Sequence, residues 1–417
     1  MKLLSLILFT LSFLGTSYFF GDYSQKVTAT TEGSDLSASV ILAEETTPPQ
    51  GAPEPEVILP PEKKKLKVLI VPGHEPDFGG TEFFNIKERN LNADLSLALA
   101  QYLVEDGHYD VVMTRDKDAW NPYLETYFTA NSEEIKKFTE SQKTEMGRLI
   151  KEGKISVMNS QVIHNTAPDD VAFRLFGINK WANEHTVDII IHVHFNDNTE
   201  RTEWAPGEYN GFAIYTPERQ YSNAVASFEV AKQVYTRLSK MFPVSNLPGE
   251  NAGIVEDQDL IAVGNSNTVN AASVLIEYGY IYEPQLQVPS VRTAVLNELA
   301  FQTYLGISDF SGTASFVVGP KESTLLLRGG ELIAKKTALP NTGVLALQAV
   351  LLEKGYYPPE KYSRNQCPLS GFFGPCTERA LTAFQNEFGI KGERGVVGPK
   401  TQLELQALFE PRLTGSI

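Results

Sequence analysis

Between residues 67 and 310 the chain alternates short apolar runs with amphipathic stretches. KVLIV (67–71) is a continuous β-branched run and reads as a buried strand. From Glu88 to Glu105, Leu91, Leu95, Ala98, Leu99 and Leu103 recur at helical spacing, and Gly107 ends the pattern. YDVVMTR (109–115), VDIIIHVHF (187–195) and GFAIYT (211–216) read as further strands, and ASVLIEYGY (272–280) is another apolar run. Strands alternating with helices predict an α/β domain, a mostly parallel sheet flanked by helices.

The connection at about 119–171 is longer and more charged than such a unit needs. Its segment NSEEIKKFTESQKTEMGRLIKEG (131–153) reads as a helix. Two readings stand: a surface insertion, or a lid with Glu140 or Gln142 near the site. The predicted organisation is an N-terminal apolar segment (1–21), a Pro/Glu-rich tether (22–65), the α/β domain (66–311), a mixed Gly/Ser/Lys linker (312–338) and a last unit (339–411). In the first segment one Lys precedes the mostly apolar residues 3–20, which reads as an export signal or a membrane anchor.

Metal-ligand residue types stand at the ends of apolar runs or near a helix start: His74 in VLIVPGHE (68–75), Glu88 in NIKERNLN (85–92), His192 and His194 in DIIIHVHFND (188–197), and Glu277 in 272–280. Two imidazoles and a carboxylate suit a zinc ion with an open coordination position, and a further carboxylate supplies a general base. His192 and His194 alternate along a strand and share a face, so geometry alone does not choose between them. His108, His164 and His185 lie in polar stretches and read as surface residues.

In this order the segments resemble the zinc-dependent N-acetylmuramoyl-L-alanine amidases. That family has a strand ending in PGH, a Glu at the start of the first helix, a strand carrying a second His followed two residues on by Asn, and a catalytic Glu closing a late strand. VVMTRDKD (111–118) is similar to its strand-TR-D segment. The resemblance implies that His74, Glu88 and His194 are zinc ligands and Glu277 is catalytic. The family's Ser-x-His-x-Asn pattern falls on residues 192–196, so His192 stands where the family has Ser, and His192 and Asn196 are expected behind the ligands. Glu75 stands where many members have Gly, a departure that alters the site entrance.

Residues 345–358, 370–390 and 395–409 resemble a three-helix, all-α peptidoglycan-binding domain. Its marks fall on Leu347 and Gln348; on Gly371, Phe373, Gly374, Thr377, Phe384 and Gln385; and on Gly395, Gly398 and Thr401. Residues 339–411 are expected to fold alone. The two cysteines, Cys367 and Cys376, lie close together in NQCPLSGFFGPCTE; an exported chain would bridge them, and two free thiols are the alternative.

The chain has 417 residues, room for two domains with cores, and a net charge of −15. No basic stretch has interleaved aromatics, so nucleic acid is not an expected partner. The expected partners are peptidoglycan, a membrane through residues 3–20, and an activator protein whose identity the sequence does not carry. The expected activity is hydrolysis of the amide between N-acetylmuramic acid and L-alanine in the bacterial cell envelope. A zinc peptidase acting on the stem peptide and a non-catalytic wall-binding protein are the rival readings; the absence of HExxH counts against the first.

Overall fold

The computed structural model describes residues 64–164, 166–198, 200–313, 323–326 and 338–408. The apolar N-terminal segment and nearly all of the proline-rich tether lie outside the described residues. The first strand, β1 (Leu66–Pro72), is followed by a two-stranded hairpin of β2 (Glu82–Phe83) and β3 (Ile86–Lys87), then α1 (Glu88–Asp106) and β4 (Tyr109–Met113). Next come α2 (Pro122–Ala130), α3 (Ser132–Lys151), α4 (Asp169–Glu184), β5 (Ile189–Asn196), β6 (Ala213–Pro217), α5 (Ala224–Met241) and β7 (Ile254–Asp257). The α/β part closes with β8 (Ala272–Tyr280), α6 (Pro284–Gln287) and α7 (Pro289–Ser311).

The main sheet has the order β4-β1-β5-β8-β6-β7. Neighbouring strands are parallel except for β6 against β8. The central strands are apolar on both faces because helices cover both. On one face Leu91, Leu95, Leu99 and Leu103 of α1 pack with Val230 and Val234 of α5 and with Leu299 of α7. On the other face Leu69, Val71 and Ile190 meet Phe176, Ile178 and Trp181 of α4. Gly107, in the left-handed conformation at φ 82°, caps α1 at the place its leucine pattern ends.

The inserted segment holds α2, α3 and the start of α4. Leu124, Phe128 and Ile135 complete the α4 face, and Met146 packs on Ile155 and Tyr221. It is therefore an outer layer of the domain, fastened to the core by a few large apolar side chains while most of its residues face solvent.

Three helices follow: α8 (Thr342–Glu353), α9 (Pro375–Glu387) and α10 (Pro399–Ala407). Two glutamines explain their motif. Gln348 donates to Thr377 Oγ1 at 2.9 Å and accepts from Gly371 N at 2.8 Å. Gln385 repeats the device, donating to Thr401 Oγ1 at 2.8 Å and accepting from Gly395 N at 2.7 Å. Both glycines have positive φ, 69° and 70°, a turn that a side chain would strain. Each buried amide thus ties one turn to the start of the next helix. Cys367 and Cys376 are joined in a disulfide.

This C-terminal unit does not stand apart. Leu345, Leu347, Leu351 and Phe384 belong to the same continuous core as Val291, Val295 and Leu299 of α7. Leu325 and Leu326, inside the expected linker, are buried in it as well. Glu298 of α7 accepts hydrogen bonds from the Thr324 and Leu325 amides at 2.7 and 3.2 Å, which holds that piece of linker down.

Candidate active site

The chain leaves β1 at Pro72 and turns through Gly73 and His74. His74 has φ 67°, a left-handed conformation that is strained for a residue with a side chain and is typical of functional positions. Arg115 holds this turn. It is buried, at 1% exposure, and donates through Nε to His74 O at 2.7 Å and to Pro72 O at 3.1 Å. Its other nitrogens reach the carbonyls of Gly73, Arg89 and Asp116. A planar guanidinium with five donors matches this array, whereas an ammonium cannot. The sequence had marked Arg115 only as part of a TR-D segment; its clamp on the His74 loop comes from the structure.

Glu88 opens α1, where the helix N-terminus favours a negative charge. Its Oε1 lies 2.8 Å from His74 Nε2 and 3.2 Å from His194 Nδ1. Ligand atoms of His74, Glu88 and His194 all fall within 4.8 Å of one another, so the structure gathers these three residues into a group able to hold a metal ion. Glu88 Oε2 accepts from Thr81 N at 3.0 Å. Burial alone would raise the Glu88 carboxyl, but hydrogen bonds with His194 and His74 outweigh it and hold it well below the usual range. Burial lowers the His194 imidazole, with Glu88 opposing. Two glycines make the room. A Cβ on Gly73 would lie 2.3 Å from the His194 ring, and one on Gly80 would lie 2.9 Å from His74 and 3.0 Å from Glu88. The donor set, two imidazoles and a carboxylate in a glycine-lined cradle, fits a zinc ion with an open position.

Glu277 is the register partner of His194 across β5 and β8. Its Oε2 is buried with no hydrogen-bond partner among the described residues. Burial pushes its carboxyl well above the usual value, and the nearby Glu88 and Glu250 carboxylates add to the rise. Glu250 carried no sequence signal. It sits in the irregular segment before β7 at 1% exposure and accepts from Tyr215 OH at 2.6 Å, Ser245 Oγ at 2.5 Å, Asn196 Nδ2 at 2.9 Å and Tyr280 OH at 3.2 Å. Asn196 is thereby held beside the site through Glu250.

His192 is buried behind the group and takes no part in it. Burial depresses its imidazole to about 3, and its Nε2 has no hydrogen-bond partner among the described residues. Glu75 points away from the metal group: Trp120 Nε1 donates to it at 2.6 Å, and Arg174 pairs with it. The start of the inserted segment, through Trp120, and α4, through Arg174, therefore reach the loop after His74. Glu140 is exposed and Gln142 half-buried, and among the described residues neither hydrogen-bonds to His74, Glu88 or His194. Of the other histidines, His108 is exposed as expected. His185 is half-buried and stacks on Trp181 at 4.3 Å, and His164 is half-buried against the Tyr215 ring at 5.0 Å. An imidazole is flat and partly apolar and packs on rings; His185 uses Trp181, one helical turn earlier, and His164 uses Tyr215, far along the chain.

The profile of the N-acetylmuramoyl-L-alanine amidase family matches residues 68–309, more than half of the chain, and that of a peptidoglycan-binding domain matches residues 340–405. None of the curated proteins compared with the chain matches it. Solved structures to which it is similar include an N-acetylmuramoyl-L-alanine amidase from Clostridium difficile 630, at 17% identity and a TM-score of 0.37, covering 60% of this chain and 98% of that one. Another is the amidase Ami1 of Mycobacterium smegmatis, at 16% identity and a TM-score of 0.40, covering 60% and 99%. A third is the CwlD amidase of Clostridioides difficile in complex with the GerS lipoprotein, at 15% identity and a TM-score of 0.39, covering 60% and 100%. On the strength of the profile match, the chain belongs to the N-acetylmuramoyl-L-alanine amidase family, the hydrolases that cut peptidoglycan between N-acetylmuramic acid and L-alanine, and it carries a peptidoglycan-binding domain.

Proposed function

We propose that His74, Glu88 and His194 hold one zinc ion and that Glu277 is the general base and acid of the amide hydrolysis. The observation that carries this reading is the convergence of the three ligand atoms within 4.8 Å, with an unpartnered buried carboxylate one strand away. Zinc, when bound, supplies Lewis acidity toward the amide carbonyl and toward water. Arg115 keeps His74 aimed by holding the carbonyls of its loop. Glu277 takes the proton of the attacking water and delivers it to the L-alanine nitrogen as the C–N bond breaks and the C–O bond forms. A low-polarity surround raises the proton affinity of Glu277, which suits a base. Glu250 and Asn196 keep the floor beside it fixed.

The peptidoglycan-binding domain places the enzyme at the cell envelope and raises its local concentration on an insoluble substrate. Among the described residues no helix is long and apolar enough to cross a membrane. Residues 1–21 lie outside them, and we keep them as an export signal or anchor on their sequence alone. An activating protein partner stays part of the proposal.

Three measurements test the assignment. The purified chain should carry about one zinc per molecule, and digestion of sacculi should release intact stem peptides from the muramic acid; cleavage within the peptide would establish the peptidase reading instead. Glu277→Gln should keep its zinc and lose turnover by roughly a hundredfold or more. Near-normal turnover in the zinc-loaded variant would exclude Glu277 as the proton carrier.

A further inference from the structure

Beside the metal group lies an aromatic surface that the hydrolytic chemistry does not use. Phe84, at the tip of the β2–β3 hairpin, is 57% exposed, and Trp204, in the loop after β5, is 64% exposed. Their ring centroids are 5.6 Å apart. Large rings paired on a surface are unfavourable to leave in water, and such a patch marks a binding site. Phe84 also has φ 51°, a left-handed conformation that disfavours bulky residues. The fold thus accepts backbone strain to present an aromatic ring outward.

The pair is rigidly mounted. Arg201 bridges the two segments: it pairs with Asp197 at 2.6 Å and 2.9 Å, donates to Glu82 O at 3.0 Å and to Glu203 O at 2.9 Å, and lies over the Phe83 and Tyr282 rings. Both segments are rooted at the metal group. The hairpin runs directly into Glu88; Thr81 N donates to the Glu88 carboxylate, and Thr81 O accepts from Glu88 N. Asp197, three residues after His194, accepts from Thr81 Oγ1.

We propose that Phe84 and Trp204 form a glycan subsite that stacks pyranose rings of the peptidoglycan strand next to the scissile amide. The proposal rests on the amidase reading, because that amide ties the peptide to the sugar and brings the glycan within a short covalent reach of the metal group. A pyranose ring offers an apolar face of C–H groups with hydroxyls at its rim. Two exposed rings match that face. A protein partner fits less well: two rings are far smaller than the roughly 800 Å² per side of a stable interface.

The test compares zinc-loaded full-length enzyme and its Phe84→Ala, Trp204→Ala and Trp204→Phe variants on two substrates: MurNAc-peptide and a tetrasaccharide of alternating GlcNAc and MurNAc carrying the same peptide. The wild type should gain kcat/KM with the longer glycan. The alanine variants should lose about tenfold of that gain, and Trp204→Phe should retain most of it. An unchanged ratio overturns the proposal, including the case where the variants instead lose association with an envelope protein. A second readout is independent of hydrolysis. Chitotetraose should change the tryptophan fluorescence of the wild type, and Trp204→Phe should abolish the change. No change in the wild type overturns the subsite. Failure to cleave either substrate, with the fluorescence change intact, would count against the amidase reading alone.

Discussion

At the scale of single residues, the site is a set of backbone and charge compromises around His74, Glu88 and His194. His74 occupies a strained φ, and Arg115 compensates with hydrogen bonds to its own carbonyl and the two before it. His194 faces Glu88 while His192, two residues earlier on the same face of β5, is buried. His194→Ala should therefore strip most bound zinc and His192→Ala should retain it, read by metal content of the purified variants; the opposite result would reverse the assignment. The burial of His192 also has a pH signature. Its folded value of about 3 lies below the ordinary 6.5, so the unfolded chain binds the proton first. Its contribution to stability is complete above pH 6.5 and is lost as the pH falls toward 3, an effect on the order of a few kcal/mol. In chelator-treated protein, His192→Gln should lose less stability than the wild type between pH 7 and pH 4. Equal losses in denaturant titrations would show that His192 is not held neutral.

At the scale of elements, most of what carries the site was legible. The apolar run 67–71, the leucine spacing of 88–105 ended by Gly107, and the period-two pair His192 and His194 specify a strand, a helix and a shared face by local rules. The charged stretch 131–153 was legible as a helix but not as a structural layer, because Ile135 and Met146 are sparse apolar positions whose partners, Phe176 and Tyr221, lie far along the chain. Glu250 was illegible for a related reason: an isolated acid in a loop has no periodicity, and its four donors come from β5, β6, β8 and the segment before β7. In the C-terminal helices the motif glutamines have a defined job. Gln385→Leu should leave Gly395 N–H and Thr401 Oγ1 without their buried partner and cost about 1–3 kcal/mol of stability. Chemical denaturation checks this, and a neutral result would reduce the motif to a packing pattern.

At the scale of the molecule, α7 joins the two functional halves. One of its faces covers the sheet, and its start meets α8 and the turn at Gly371, whose Cβ position lies 3.2 Å from Val291. Across the same junction Arg364 donates to Ser239 O, and Asn365 donates to Val244 O at 2.9 Å and to Asn210 at 2.8 Å. The expectation that residues 339–411 fold alone has to be weighed against this shared core. A continuous core predicts a single cooperative unfolding transition in calorimetry of the full chain, shifted upward together by added zinc. Two resolved transitions, with zinc moving only one, would mean that the halves are energetically separate.

Sequence by itself determined the period and polarity of the main strands and helices, the residue types able to hold zinc, and the turn glycines, because each depends on neighbours within about one or two turns of chain. Only the tertiary structure decided that Arg115 uses its donors on the His74 loop, that Glu250 lies near enough to Glu277 to raise its carboxyl, and that the wall-binding helices share a core with the hydrolase; between His192 and His194 strand geometry left the choice open, the family resemblance pointed to His194, and the structure brings His194 to Glu88. Those are contacts between residues tens to hundreds of positions apart. They are set by how strands order in the sheet and how helices close over it, and local pattern carries no record of that order.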